Sequence, residues 1–205
     1  IWKIEELKGR ILFTLMILVI YRLVCQVVLP GVDPAQLSNA QKTGLLGLLD
    51  MFAGGAFSKA SIVALGVMPY ISASIVVQLL GIAVPTFQKM QKEGESGRKK
   101  LTQYTRYLTV AITLVQAVGY VKTQVAQDAI IINHTLFYFV SAIVLTAGTL
   151  FVMWLGEKIT DKGIGNGTSL IIMVGIIARL PIALSQEISS VFAGSDGGLI
   201  RLVLE

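Results

Sequence analysis

Three glycines and an asparagine stand directly before an apolar run in the stretch TDKGIGNGTSLIIMVG, residues 160–175. Gly163 and Gly165 match the first two glycines of the dinucleotide-binding pattern G-x-G-x-x-G, but Thr168 occupies the place of the third. The Gly-Lys-Ser/Thr signature of a phosphate-binding P-loop does not occur in the sequence. The cluster therefore predicts no bound nucleotide. So many glycines indicate instead that another part of the chain approaches the backbone closely.

Residues suited to catalysis or metal binding are scarce. The chain has one histidine, His134, which lies at the edge of an apolar run, and one cysteine, Cys25, which lies inside another. No pair of acidic residues occurs inside an apolar run, although proton- and ion-coupled transporters usually carry one. We therefore expect no enzyme activity, no cofactor and no metal.

Composition predicts the elements that position these residues. The chain is 54% hydrophobic and only 14% charged, whereas soluble domains average roughly 45–50% and about 25%. A span needs about 20 mainly apolar residues. The candidate spans are residues 11–29, 61–84, 105–122, 134–155 and 168–184, with 199–204 as the start of a sixth. The expected fold is an all-α polytopic membrane protein, a bundle of five transmembrane helices.

The distribution of lysine and arginine predicts the orientation of these spans. If the N-terminus is cytoplasmic and the spans alternate, most of the lysines and arginines fall in cytoplasmic segments. This bias is the positive-inside rule, and it assigns most of the net charge of +5 to topology rather than to nucleic-acid binding.

Residues 44–60, GLLGLLDMFAGGAFSKA, are too apolar for an ordinary loop and too short for a span. The segment predicts a re-entrant helix that carries Asp50 and is broken at Gly54-Gly55. Such backbone is tolerated at membrane depth when it is buried in protein or lines a cavity. An amphipathic helix on the membrane surface is the alternative.

One face of the second apolar run carries an aliphatic stripe. Val67, Ile71 and Ile75 recur every four residues and therefore share a helix face. Pro69 is expected to kink this helix in its N-terminal half. Periodicity alone indicates no more than packing for such a stripe.

Three longer motifs carry a resemblance. The stretches ALGVMPYISASIVVQLL, KEGESGRKKLTQYTRY and MWLGEKITDKGIGNGTSLII occur in order, and the chain from about Leu12 to Pro181 resembles the SecY family of protein-conducting channel subunits. The resemblance implies the N-terminal half of a ten-span fold, with the C-terminal half absent. It also implies a channel that translocates unfolded secretory proteins and releases membrane proteins into the bilayer.

The resemblance assigns roles to single residues. Segment 44–57 would be the plug that closes the channel, and its apolar residues are Leu45, Leu48, Leu49, Met51 and Phe52. The pore ring would be formed by Val67, Ile71, Ile75 and Ile172. Ser72 and Gln116 match polar positions of the lateral gate. Thr168 departs from the family, which is apolar at this pore-facing position, and the glycine cluster matches the cytoplasmic connection between the fourth and fifth spans.

The implied partners are small SecE- and SecG-like membrane subunits, the motor ATPase SecA or a ribosome, signal peptides, nascent chains and the lipid bilayer. No nucleotide or specific nucleic acid is expected. The implied location is the bacterial inner membrane. The charge of the basic loop 88–106 is expected chiefly to fix topology. The alternative is that a turn at Gly94–Gly97 projects Arg98, Lys99 and Lys100 toward anionic lipid or an acidic partner surface.

Two other classes stay open at this point. A secondary transporter with a broken re-entrant helix could use segment 44–60 as its half-helix. An assembly or insertion factor without a pore would share the apolar spans but conduct no ions.

Overall fold

The computed structural model describes residues 5–33, 50, 53–125, 130, 133–178, 180–181 and 185. Within these ranges the chain forms six α-helices and no β-strand. They are α1 (Glu5–Val24), α2 (Met68–Ala83), α3 (Pro85–Lys92), α4 (Glu95–Gln124), α5 (His134–Lys162) and α6 (Gly167–Ile177). The all-α class is confirmed for the described residues, and the expected sixth span at 199–204 lies outside them.

Helix α1 is displaced relative to the first predicted span, residues 11–29. It begins at Glu5 and ends at Val24, so the last five positions of the predicted span are not helical. The Leu29 N–H donates to the Ala60 carbonyl at 2.8 Å, and the Ile62 N–H donates to the Val27 carbonyl at 3.0 Å. The chain leaves the helix early because these long-range bonds replace the helical ones.

The second predicted span, residues 61–84, is helical only from Met68 onward. Pro69 lies in the first turn of α2, where its missing N–H costs no helical hydrogen bond, so the expected kink at this residue is wrong. At the other end, Val84 is extended, with φ −111° and ψ 119°. Helix α3 consequently leaves α2 at an angle of 100°.

Helix α4 starts well before residue 105, the predicted beginning of the third span, and packs chiefly against α5 and α2. Thr105, Thr109 and Thr113 follow one another at intervals of one turn and are buried. Each hydroxyl donates to the carbonyl four residues earlier, at 2.6 to 3.0 Å. Because these hydroxyls are satisfied within the helix, the threonines give α4 a narrow face for close packing.

Helix α5 extends past residue 155, the predicted end of the fourth span, to Lys162. In the described part of the chain, α5 alone has the length and composition of a membrane span, or two spans do if the bent α2–α3 pair is counted as one. Helix α6 has 11 described residues, Gly167–Ile177, and is therefore shorter than the predicted span 168–184.

The core consists of two adjoining apolar clusters. One joins Leu29 and Val32, which follow α1, to α4 and the first half of α5, and it includes Ala60 and Ala64. The other joins the middle of α1 to the second half of α5 and α6, and it includes Ala53, Ala56 and Val63. The residues between α1 and α2 therefore contribute to both halves of the core.

Candidate functional site

The inner turn segment, defined as residues 53–67, is irregular backbone enclosed by the helices. Ala56, Ala60 and Ala64 are each at most 1% exposed. Irregular backbone at membrane depth must be enclosed by protein, and these alanines are enclosed; the re-entrant helix over residues 44–60 stays a prediction. The predicted plug residues Leu45, Leu48, Leu49, Met51 and Phe52 lie outside the described residues.

Hydrogen bonds from three directions satisfy the inner turn segment. The Asp50 carboxylate accepts from the Ser58 N–H at 2.8 Å. The Arg22 guanidinium of α1 donates to the Gly54 carbonyl at 3.3 Å. The Tyr120 hydroxyl of α4 donates to the Phe57 carbonyl at 2.6 Å. These bonds allow a segment without helical hydrogen bonding to remain buried.

Gly54 allows the inner turn segment to approach α6. Its φ of +61° lies in the left-handed region, and a methyl group there would come within 2.9 Å of the Arg22 guanidinium and 3.0 Å of the Gly175 Cα. Both the backbone angle and the space therefore favour glycine. The predicted break at Gly54-Gly55 agrees with the turns observed from Ala53 onward.

Three of the four predicted ring residues meet at one cavity. Val67, Ile71 of α2 and Ile172 of α6 line an apolar cavity of about 260 Å³, whose wall also includes Ala53 of the inner turn segment. Ile71 and Ile172 are therefore neighbours in space although about a hundred residues separate them in sequence. Ile75 is not among the described residues that line this cavity, and its side chain is 50% exposed.

The two predicted gate residues line a second cavity of about 470 Å³. Ser72 of α2 and Gln116 of α4 face it together with Phe57 and Tyr120. The Ser72 hydroxyl donates to the Met68 carbonyl at 3.1 Å within its own helix. Leu65, Met68 and Ala53 line both cavities, so the two adjoin at the inner turn segment.

The predicted basic loop, residues 88–106, is helical except at Glu93 and Gly94. The expected turn over Gly94–Gly97 is wrong, because α4 begins at Glu95. Gly97 is buried, and a methyl group there would overlap the Met90 carbonyl oxygen of α3. This close approach closes a tight hairpin between α3 and α4.

The three predicted cations consequently lie on a helix rather than at a loop tip. Arg98 lines a groove of about 290 Å³ between α2, α3 and α4. Lys99 is exposed, and Lys100 forms an exposed ion pair with Glu93 at 3.8 Å.

The glycine cluster joins α5 to α6 and holds the two helices close together. Gly165 has a φ of +70°, and a methyl group at Gly167 would overlap the Gly156 carbonyl oxygen of α5. The Asn166 side chain caps α6 by accepting from the Ser169 N–H at 3.3 Å. The expected close approach of another part of the chain is confirmed at this connection.

Several contacts of the site were not predicted from the sequence. Tyr120 stands near the end of a long apolar helix, where nothing local indicates that it reaches Phe57. Arg22 was visible as a charge inside an apolar run, which is a signal for a buried polar partner. Arg106 pairs with Glu157 of α5 and so joins α4 to α5 instead of adding to the basic surface.

The SecY family model matches residues 61–204, which is more than half of the chain. The chain belongs to the SecY family. The protein translocase subunit SecY of Vibrio cholerae is 43% identical over 98% of this chain and 46% of its own length. The SecY subunit of Buchnera aphidicola subsp. Acyrthosiphon pisum is 46% identical over 93% of this chain and 45% of its own length. The chain thus spans about half the length of the curated relatives it matches.

Solved structures of channels share the fold. Sec61 in the canine ribosome–channel complex from the endoplasmic reticulum gives a TM-score of 0.65 at 21% identity, covering 93% of this chain and 43% of its own. A structure of SecY, in which the plug domain is described as stabilising the closed state of the channel, gives a TM-score of 0.60 at 22% identity. It covers 93% of this chain and 42% of its own. At these identities the likeness shows the fold alone.

Proposed function

We propose that the protein is a subunit of a protein-conducting channel, which passes unfolded chains across the bilayer and releases membrane segments into it. The observation that carries the proposal is the apolar cavity at which Val67 and Ile71 meet Ile172 beside the inner turn segment. Membership of the SecY family supports the same function.

An aliphatic constriction suits a channel for chains of any sequence. Branched alkyl side chains resist wetting and so hold back ions, while they offer a passing chain no fixed polar partner. We assign this role to Val67, Ile71 and Ile172. Ile75 is half exposed and is not among the described residues that line this cavity, so its place in the ring stays a prediction.

The neighbouring features suit the plug and the lateral gate. Ala53, at the start of the inner turn segment, borders the proposed constriction, which supports a plug formed by residues 44–57. Ser72 on α2 and Gln116 on α4 face a common cavity, which supports a lateral gate with these two helices on one side and spans seven and eight of the family's fold on the other. A signal sequence, itself an apolar helix, would leave the channel sideways through such a gate.

The membrane arrangement forms part of the proposal. We assign five spans centred on α1, α2, α4, α5 and α6, a re-entrant plug and a cytoplasmic N-terminus, because cytoplasmic segments then hold most of the cations. A bacterial inner membrane is the proposed location, since the relatives compared above are bacterial.

The proposed partners are small SecE- and SecG-like subunits, together with SecA or a ribosome. A ribosome partner is supported by the fold shared with Sec61 in a ribosome–channel complex. The exposed basic residues on the α3–α4 hairpin suit an acidic surface on such a partner or anionic lipid headgroups.

The test replaces single ring residues and measures the ion conductance of the resting channel in planar bilayers. Ile71→Gly and Ile172→Gly should each raise the resting conductance, because they widen an apolar constriction and let it wet. Leu79→Gly is the matched control, since Leu79 lies on α2, is exposed, and incurs the same helical cost of glycine.

A resting conductance that stays at the control level for both ring variants would overturn the assigned constriction. If the unmodified protein also fails to translocate a secretory precursor in vesicles, the channel function itself is wrong.

A further inference from the structure

The first half of the inner turn segment is fastened to α1 and to the residues that directly follow α1. At Gly54 its carbonyl accepts from the Arg22 guanidinium at 3.3 Å. At Lys59 the ammonium donates to the Gln26 side-chain carbonyl at 2.8 Å. Main-chain bonds from Leu29 to Ala60 continue the attachment. The segment therefore follows α1 if α1 moves.

Between these two points the inner turn segment is fastened to a different helix. The Tyr120 hydroxyl of α4 donates to the Phe57 carbonyl at 2.6 Å. The two aromatic rings also meet edge to face, with centroids 4.9 Å apart and an interplanar angle of 70°. Tyr120 is only 4% exposed, so the contact is shielded from solvent.

The same part of α4 borders the proposed gate. Gln116 and Tyr120 lie one turn apart on α4, and both face the cavity that Ser72 and Phe57 also line. A displacement of α4 away from α1 would therefore have to stretch the Tyr120–Phe57 hydrogen bond, because Arg22 and Lys59 hold the segment to the α1 side.

We propose that Tyr120 is a positioning residue that links the gate to the plug: its hydroxyl holds the inner turn segment in place until α4 moves. This inference rests on the proposed channel function and deepens it. Tyr120 touches neither a translocating chain nor an ion in this role. It acts through Phe57, by keeping the segment seated against the constriction in the resting state.

A phenol is well suited to such a latch. One neutral hydrogen bond from a side chain to a main-chain carbonyl contributes modestly to stability, so it can break and re-form during a functional cycle. Losing the hydroxyl while keeping the ring preserves the edge-to-face contact. Tyr120→Phe therefore removes the hydrogen bond with little change in packing.

The experiment compares Tyr120→Phe with Tyr107→Phe, using the protein as it occurs in its membrane and reconstituted in nanodiscs and planar bilayers. Tyr107 lies on the same helix and is 73% exposed, so the control makes the same chemical change without touching the segment. Three properties are measured: hydrogen–deuterium exchange of residues 53–67, resting conductance in potassium chloride, and the thermal unfolding temperature.

For Tyr120→Phe we expect amide exchange in the inner turn segment to rise roughly fivefold, the change that follows from losing one hydrogen bond of about 1 kcal/mol. Exchange in α2 and α5 should stay at the control level. Resting conductance should rise, and the unfolding temperature should match that of Tyr107→Phe, because a local latch contributes little to global stability.

Unchanged exchange in residues 53–67 would overturn the latch. Faster exchange throughout the helices, with a lower unfolding temperature, would overturn it in favour of a merely structural role. If Tyr120→Phe raises local exchange but leaves conductance unchanged, while Ile71→Gly raises conductance, the proposed link between Tyr120 and the plug is wrong. The proposed channel function is then still supported. If no variant conducts, the channel function fails, whereas the local exchange result still establishes the contact.

Discussion

At Gly148 of α5, a methyl group would overlap the carbonyl oxygen of Ile62, because the inner turn segment passes directly over the helix there. Gly119 of α4 is also a helical glycine, but it has no atom within 4 Å of the place where a methyl group would stand. Gly148 therefore has no room for a side chain, whereas Gly119 has room for one. The difference is that another segment crosses the helix at Gly148 and no described segment does at Gly119.

This contrast predicts opposite effects of two identical substitutions. Gly148→Ala should destabilise the protein by about 1–3 kcal/mol, because the backbone of α5 and the segment must move apart. Gly119→Ala should be neutral or stabilising by up to about 1 kcal/mol, since alanine favours a helix more than glycine does. Reversible unfolding in mixed detergent micelles measures both free energies.

Equal effects of the two alanine substitutions would contradict the close passage of Ile62 over α5. The Gly119 variant also serves as the control for any general effect of alanine on membrane insertion, because α4 and α5 are both long helices.

Among the elements, the inner turn segment both borders the proposed constriction and packs into the apolar core. A plug alone would not require the second role. Ala53 and Ala56 belong to the apolar core, and Phe57 contacts Tyr120. Asp50, by contrast, reaches the segment through its bond to the Ser58 N–H. Among the described residues of the predicted plug, Ala53 and Ala56 pack into the apolar core.

Two deletions of different length separate these roles. Replacing residues 44–49 by a short Gly-Ser linker should raise resting conductance and leave thermal stability nearly unchanged, if these residues obstruct the channel. Replacing residues 44–57 should raise conductance and also lower the unfolding temperature, because it removes core contacts of Ala53, Ala56 and Phe57. Planar-bilayer recordings and thermal scans give the two readouts.

Conductance at the unmodified level after the shorter deletion would contradict the plug assignment. Equal unfolding temperatures for the two deletions would contradict a core role for residues 53–57.

Across the whole molecule, the positive charge divides between paired and exposed groups. Arg106 is committed to Glu157 across the α4–α5 interface, and Lys100 pairs with Glu93 at the surface. Arg98 and Lys99 are exposed at the start of α4, while Lys122 is exposed near its opposite end. Because one helix carries cations at both ends, it offers an internal comparison between the two predicted sides of the membrane.

Reversing Arg98, Lys99 and Lys100 together to glutamate should weaken binding of an acidic cytoplasmic partner or of anionic vesicles. Each cation near a membrane contributes roughly 1 kcal/mol, so the loss should reach about 3 kcal/mol at low salt. The loss should shrink at high salt, because exposed charges are screened. Co-sedimentation with anionic vesicles and with the motor ATPase across a salt series measures it.

Lys122→Glu is the control, since it changes a charge at the other end of α4 and should leave partner binding intact. Accessibility of introduced cysteines must show that the triple variant keeps its orientation. If orientation is kept and binding is unchanged at every salt concentration, these cations serve topology alone.

Local chemistry was sufficient to predict the helical class and the approximate positions of the apolar elements. Charge depletion and uncharged runs of about 20 residues can be recognised without knowing any tertiary contact. The reason is that the preference of a side chain for lipid or for the protein interior depends on its own chemistry. The glycine cluster likewise signalled a close approach before its partner was known. The family motifs between residues 64 and 172 added the grouping of Val67, Ile71 and Ile172, which periodicity alone left as packing.

Contacts between distant residues decided the rest. Helix α2 starts at Met68 because Ser61–Val67 bond to their neighbours and to the end of α1, and no local pattern marks that change. Ile75 shares a helical face with Ile71, yet its side chain is half exposed, whereas Val77, further along α2, is buried. Tyr120 meets Phe57 across 63 positions of sequence. Periodicity defines a face, but the element that covers each part of that face is set by packing.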